Sequence, residues 1–378
     1  MSLVKFSDVV VRANTKEDKD NTHLKFYVGG EHIDTDEVLI EKRGIIAGSN
    51  IGPMFYFGFK AGQVLLVSRN PHLRKAGMVT FDGICSEKTF VLQTKDETVL
   101  LQRFLPFVLQ SKRFWDYAES HKSGSVNFFI NWSTLANYEF DLPDIETQRK
   151  LANVLWAINE TKEAYKKLLT QTDDLLKSQF MEMFGDIEEH IMLGDCSSLH
   201  ARVGWQALKK DEHQKTGEYM LITGTDFIDG RVNYDTCVYV SKERYDMDPF
   251  IQIQDGDILI TKDGTIGKVA IVENLPKPAT LNAGVFVVRP DGRFNKGYFA
   301  YLFKGPIFAE FVEASKTGTT IKHLNQEKLL KYNIPVASMP EQESFARLFE
   351  MSDKSKLELT EAISSCKSMM KKIISDNL

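Results

Sequence analysis

Between residues 146 and 184 the apolar positions follow a helical period. Leu151, Leu155, Ile158, Tyr165, Leu169, Leu176 and Phe180 stand three, four or seven residues apart, and no Pro or Gly interrupts them before Gly185. This spacing is a heptad seam and predicts one long helix. At about 1.5 Å per residue, 35–40 residues would extend roughly 55 Å. The seam recurs later in the chain at an offset of 194 (Asn325 against Asn131, 325 − 131 = 194), as Phe345, Phe349, Ser352, Leu359, Ile363, Met370 and Ile374. Only Ser352 loses its apolar character, and Lys162, a polar step in the first copy, falls on Lys356 in the second. Two copies of one seam in one chain predict an intramolecular coiled coil.

The offset reaches far upstream of the helices. Phe114 pairs with Phe308, Leu135 with Leu329, Tyr138 with Tyr332, Gln148 with Gln342 and Ala152 with Ala346. The run Gly62-Gln-Val-Leu-Leu-Val matches Gly256-Asp-Ile-Leu-Ile-Thr, and Gly29-Gly-Glu-His-Ile-Asp lies loosely beside Gly224-Thr-Asp-Phe-Ile-Asp. The chain is therefore read as a tandem duplication of a mixed globular unit followed by a long helix. Two copies are too few for a solenoid and fit pseudo-two-fold symmetry better. Within the globular units, 64–68, 78–81 and 89–92 in the first and 258–261, 268–272 and 285–288 in the second read as short strands. Residues 99–118 and 296–314 then read as helical, with Pro306 suited to a first turn, Pro106 expected to break its helix, and Pro340 placed to start the second long one.

At 378 residues the chain is long enough for two or three cores. No apolar run approaches the ~18 residues of a membrane span, and the N-terminus has no charged-then-apolar leader. Cys85, Cys196, Cys237 and Cys366 form no Cys-x-x-Cys pair and read as free thiols of a cytoplasmic protein. A net charge of −5 neither announces nor excludes a nucleic-acid binder, because phosphate contact depends on where cations cluster.

No catalytic or cofactor motif emerges. Asn70-Pro71-His72-Leu73 lacks the second Pro and the aromatic of an amino-methyltransferase motif. Gly267-Lys268 is followed by Val269, where a phosphate-binding loop has Ser or Thr. The eight His residues show no metal-ligand spacing, and the carboxylates read as solvated surface. Two pairs of Gly-punctuated loops remain. Residues 68–75 carry Arg69, Asn70, His72, Arg74 and Lys75, and 121–127 carry Lys122, Ser123, Ser125 and Asn127. Their counterparts, 261–268 and 315–323, carry Lys262, Thr265 and Lys268, then Lys316, Thr317, Thr319, Lys322 and His323. Exposed amides, hydroxyls and cations suit phosphate oxygens and base edges. A single such loop is read more simply as a solvated turn; its recurrence in both copies puts a binding role on an equal footing with that reading.

In this order of elements the chain resembles the specificity subunit of a type I restriction-modification system over essentially its whole length. The likeness rests on the duplicated architecture, on Gly-Asp-Ile-Leu-Ile-Thr-x-x-Gly-x-Ile-Gly-Lys at 256–268, and on Leu-Pro-x-x-Glu-x-Gln-Arg at 142–149. The last is echoed by Ile334-Pro335 and Pro340-Glu341-Gln342. The first copy departs from the pattern at 68–75. The resemblance implies an α+β fold with two target-recognition domains, 1–143 and 187–339, separated by spacer helices 144–186 and 340–378 that form an antiparallel intramolecular coiled coil. Each domain would read one half of a bipartite double-stranded DNA target. The helices would set the spacer and dock two methyltransferase subunits, with restriction and translocase subunits completing an adenine-methylating complex. The subunit itself would be non-catalytic, without cofactor or metal. Two alternatives are the recognition half of a fused restriction-methylation enzyme and a coiled-coil scaffold that does not bind DNA. The Met1 start and the helix running to Leu378 favour a whole chain over the fused form.

Overall fold

The computed structural model describes residues 2–204, 208–317 and 323–378, with the side chains of Lys210, Lys316 and Thr317 outside that description. Two compact units result, Met1–Leu168 with Leu359–Leu378 and Leu169–Glu358, so one cut falls within each long helix.

In the first unit one sheet orders Val10–Ala13, Thr89–Thr94, Val64–Val67, Ala76–Val79 and Leu39–Ile40, antiparallel except for the last pair. A second sheet orders Gly44–Ile45, Phe26–Val28, Gly83–Ser86 and Phe55–Phe59. The second unit repeats the plan. Ser197–Ala201, Val285–Pro290, Ile258–Thr261, Val269–Ile271, Arg231–Val232 and Phe227–Ile228 form its larger sheet, with the parallel pair again between the fourth and fifth strands. Val238–Val240, Tyr219–Ile222 and Ala279–Leu281 form its smaller one. In both units a first strand pairs antiparallel with the last, Ser2–Lys5 with Glu139–Leu142 and His190–Met192 with Asn333–Pro335.

The continuous apolar runs of the central strands follow from burial on both faces. Val64 and Leu66 enter the core shared with helices while Leu65 enters the core under the second sheet. Ile258 and Ile260 divide from Leu259 in the same way. The helix expected over 99–118 is broken into a series of turns, a short helix Leu105–Val108 and the helix Lys112–Ser120. Pro106 sits in the first turn of the short helix, where its missing N–H costs nothing. Its counterpart divides at Gly305 into Lys296–Lys304 and Pro306–Ser315. Among the described residues no helix is long and apolar enough to cross a membrane.

The long helices span Ile145–Phe184 and Met339–Asn377. Asp144 caps the first, accepting from the Thr147 amide at 2.9 Å, and Ser338 opens the second, donating its hydroxyl to Glu341 at 2.6 Å. One turn in, the duplicated glutamines repeat one clamp. Gln148 accepts from the Leu101 amide (3.0 Å) and donates to the Pro143 carbonyl (2.8 Å); Gln342 accepts from Asn295 (2.8 Å) and donates to Ala337 (2.9 Å). Both are buried polar groups with their hydrogen bonds made, so each ties helix to globular domain without a desolvation penalty left over.

Every seam position is buried or half-buried, Ser352 included. In the second unit the two helix segments run antiparallel: the Phe180 and Phe345 rings lie 5.4 Å apart, and further along Lys356 meets Asp173 at 2.5 Å. In the first unit Met370, Ile374 and Leu378 join Ala152 and Leu155 in one core. The repeated lysines part company here. Lys356 remains partly exposed beside the facing helix, whereas Lys162 is 1% exposed and pairs with Glu37 of the globular domain.

Glu37 also receives Lys166 at 2.9 Å, and Asp353 in the second unit receives Arg231 at 2.6 Å. Burial pushes both carboxyls up, but hydrogen bonds from Lys162 and Lys166 to Glu37, and from Arg231 to Asp353, outweigh it and hold each below its ordinary value. A depressed carboxylate stabilises the fold above its unfolded pKa, 4.5 for Glu and 3.8 for Asp, and that stability is lost as pH falls through the lower folded value. The thermal midpoint should therefore drop more steeply below about pH 4.5 in the parent than in the Glu37→Gln/Asp353→Asn double variant. Equal slopes in melts at pH 5, 4 and 3 would show that these contacts carry no acid sensitivity.

Candidate nucleic-acid interface

Each globular domain brings its two candidate loops together through the backbone. In the first, Asn70 donates its amide to Phe128 (2.8 Å), Ile130 to Ser68 (2.9 Å), and Ser123 and Phe129 exchange bonds at 2.7 and 3.0 Å. Arg69, Phe129 and Ser123 thus lie side by side across a small antiparallel ribbon. In the second, Leu324 donates to the Lys262 carbonyl (3.0 Å), and Lys316–Thr317 pairs with His323–Leu324. Behind the ribbon, the Ser68 amide reaches Lys88 (2.8 Å) and the Lys262 amide reaches Gly284 (2.9 Å). Ser68 and Lys262, Ile130 and Leu324, and Phe129 and His323 are all 194 apart (262 − 68 = 324 − 130 = 323 − 129), so one backbone frame is used twice.

The turns that shape the ribbons differ. In the first domain Asn70 and Arg74 both adopt left-handed backbone (φ 50° and 48°) around a single tight turn, Pro71–Leu73. In the second, Thr261 ties the turn by accepting the Lys268 amide at 2.9 Å on its hydroxyl, and Gly267 is required: its φ is 79° and a Cβ there would stand 2.5 Å from Val312. Gly124 is needed likewise, at φ 97° with a Cβ 2.5 Å from the Asn127 carbonyl oxygen.

The side chains on the common frame are not the same. The first ribbon presents Arg69, with His72, Ser125 and Asn127 also exposed, and Lys122, paired to Glu119 at 2.8 Å, lies over the Phe128 ring at 4.5 Å. The second presents His323 against Asp263 at 2.5 Å, with Lys262 5.4 Å over the Phe286 ring and Thr265 exposed at the tip. Three candidate cations point elsewhere. Lys75 donates to the Gly30 carbonyl at 2.6 Å, bracing the turn after Phe26–Val28, and Lys268 donates to the Phe227 carbonyl, bracing the edge strand Phe227–Ile228. Arg74 lines a cavity of about 370 Å³ beside Lys367 and Lys371 of the second helix, away from the ribbon. Thr319 and Lys322 lie outside the described residues, as do the side chains of Lys316 and Thr317.

Sequence reasoning passed over Asp263, Phe128 and Phe129. Asp263 could have been noticed as the residue in register with Arg69 (263 − 69 = 194), and the two phenylalanines as apolar residues in an otherwise polar loop. Among the described residues no group of His, Cys, Asp and Glu could hold a metal ion. Cys85, Cys196 and Cys237 are buried, and burial pushes their thiols up to about 12, about 11 and about 12, which makes them inert.

Paired sheets, a last strand leading into a long helix, and a loop ribbon are each present twice in the chain. Residues 199–365 match the family model of the type I restriction modification DNA specificity domain. Two solved structures share its fold from end to end. One is the S subunit of a type I restriction-modification system from M. genitalium, with a TM-score of 0.60 and 14% identity over 99% of this chain and 94% of that one. The other is a chain from a structure addressing complex assembly and conformational transition of the type I R-M system, with a TM-score of 0.55 and 17% identity over 99% and 96%.

Proposed function

We propose that each globular domain reads one half of a bipartite double-stranded DNA target, with its loop ribbon as the reading edge. The observation that carries this is the repeated frame: identical backbone bonds hold both ribbons, while the residues displayed change from Arg69 and Phe129 to Asp263 and His323. A fixed scaffold with exchanged side chains is what two different half-sites require, since base edges are distinguished by donor and acceptor pattern. Arg69, Asn70, His72, Ser123, Ser125 and Asn127, with Lys122, serve the first half-site. Lys262, Thr265, Thr317, Thr319 and His323, with Lys316 and Lys322, serve the second. Lys75 and Lys268 act by bracing. The segments 1–143 and 187–339 are the exchangeable recognition modules; the helices between them set the spacer and dock two methyltransferase subunits, to which restriction and translocase subunits add.

Methylome sequencing of cells that express the chain with its methyltransferase partner tests this reading. Arg69→Ala should relax the first half-site only and Lys262→Ala the second only, each at a cost of about 1–3 kcal/mol if the side chain reads a base. Substituting a phosphate-contacting residue should instead weaken binding to all sequences and lower its salt dependence. Variants in both ribbons that leave target and affinity unchanged would sink the proposal.

A further inference from the structure

The two domain–helix contacts occupy matching places and carry opposite charges. In the first unit the domain is the acid: Glu37, two residues before the edge strand Leu39–Ile40, lies against Lys162 and Lys166, with Lys367 at 3.8 Å, and Asp36 beside it meets Lys371 at 3.0 Å. In the second unit the domain is the base: Arg231, which opens the corresponding fifth strand and also pairs with Glu273 at 2.5 Å, and Lys304 close on Asp353 of the helix at 2.6 and 3.5 Å. The offset of 194 relates the partners as well. Lys304 stands where the first unit has Gln110 (304 − 110), and Asp353 where it has Asn159 (353 − 159). Gln110 donates to the Glu37 carbonyl oxygen at 3.2 Å, so its place in the contact is the same but its charge is absent.

We infer that these contacts are keys of opposite polarity that assign each globular domain to its own helical seat, so the two domains cannot trade places although their folds match. On the second seat, Glu37 would face Asp353. On the first, Arg231 would face Lys162, Lys166 and Lys367. Arg231 is 43% exposed, but the other members of the two contacts are largely withdrawn from water (Glu37 13% and Lys162 2% exposed, Asp353 19% and Lys304 16%), where like charges are poorly screened and act as a barrier against the wrong pairing. The inference concerns seating and holds whether or not the ribbons read DNA.

Hydrogen exchange on the full chain tests it at the fifth strands, Leu39–Ile40 and Arg231–Val232. Arg231→Glu should lower protection of Arg231–Val232 at least tenfold and leave Leu39–Ile40 unchanged. Adding Asp353→Lys and Lys304→Gln, which copies the first unit's chemistry onto the second, should restore protection to within about threefold. Glu37→Arg should loosen Leu39–Ile40 alone. In full chains with the two domains transposed, exchanging the key residues as well should raise protection at both strands above that with native keys. Failure of the triple variant to recover, or equal protection in the two transposed chains, would overturn the proposal; if neither transposed chain folds, the point variants decide.

Discussion

Phe345→Ala is expected to cost the second unit about 3–5 kcal/mol, the range for emptying a buried aromatic site. Phe345 is fully buried, and its ring centroid lies 4.8 Å from Tyr301, 5.4 Å from Phe180 and 5.5 Å from Phe184. These rings come from both long helices and from Lys296–Lys304, so the cavity would open where three elements meet and none can close it alone. The seam partner by repeat is Leu151, half-buried and smaller, so Leu151→Ala should cost less. Because two units need not unfold together, hydrogen exchange resolved by segment is the better measurement. A loss spread evenly over both units, or one under about 1 kcal/mol, would contradict a local aromatic clasp.

How far these features were legible depends on the distance over which each is encoded. The long helices could be read because their seam is local and repeats every few residues; even the stop at Gly185 held. The central strands were legible because both faces are buried and leave a continuous apolar run, as at Ile258–Thr261. The smaller sheets were not. Phe26–Val28 is too short for a period to show, and Phe55–Phe59 and Gly83–Ser86 contain glycines that read as turns. The loop ribbons were found as loops, but their equivalence lies in backbone bonds, which side-chain comparison of 68–75 with 261–268 cannot see. Glu37 was hidden for another reason: its partner Lys162 lies 125 residues away, so it passed for one more solvated carboxylate. The clue was at the other end. A lysine at a buried seam position must find a counter-charge, and Lys162 announced a contact that its duplicate Lys356 did not share.

A heptad inserted into both long helices, after Asp173 in the first and before Lys356 in the second, should lengthen the unspecified spacer of the DNA target by about three base pairs. These sites keep the Asp173–Lys356 pair intact, and because the strands are antiparallel there, the two insertions lie opposite each other. Seven residues add about 10 Å and return the seam to nearly the same face, so packing continues across the insertion. Duplex DNA rises ~3.4 Å per base pair, which converts that length to about three base pairs. Both half-sites should stay as they were, because the ribbons and the seats at Glu37 and Asp353 are untouched. A heptad in the first helix alone is the contrasting variant: with no partner length to cover it, its apolar face would be left open and methylation should fall. The measurement is the methylated sequence in cells carrying each insertion with the methyltransferase partner. Full methylation at the original spacer in the double insertion would mean that the helices do not measure the target, and that their seam serves only to hold the domains.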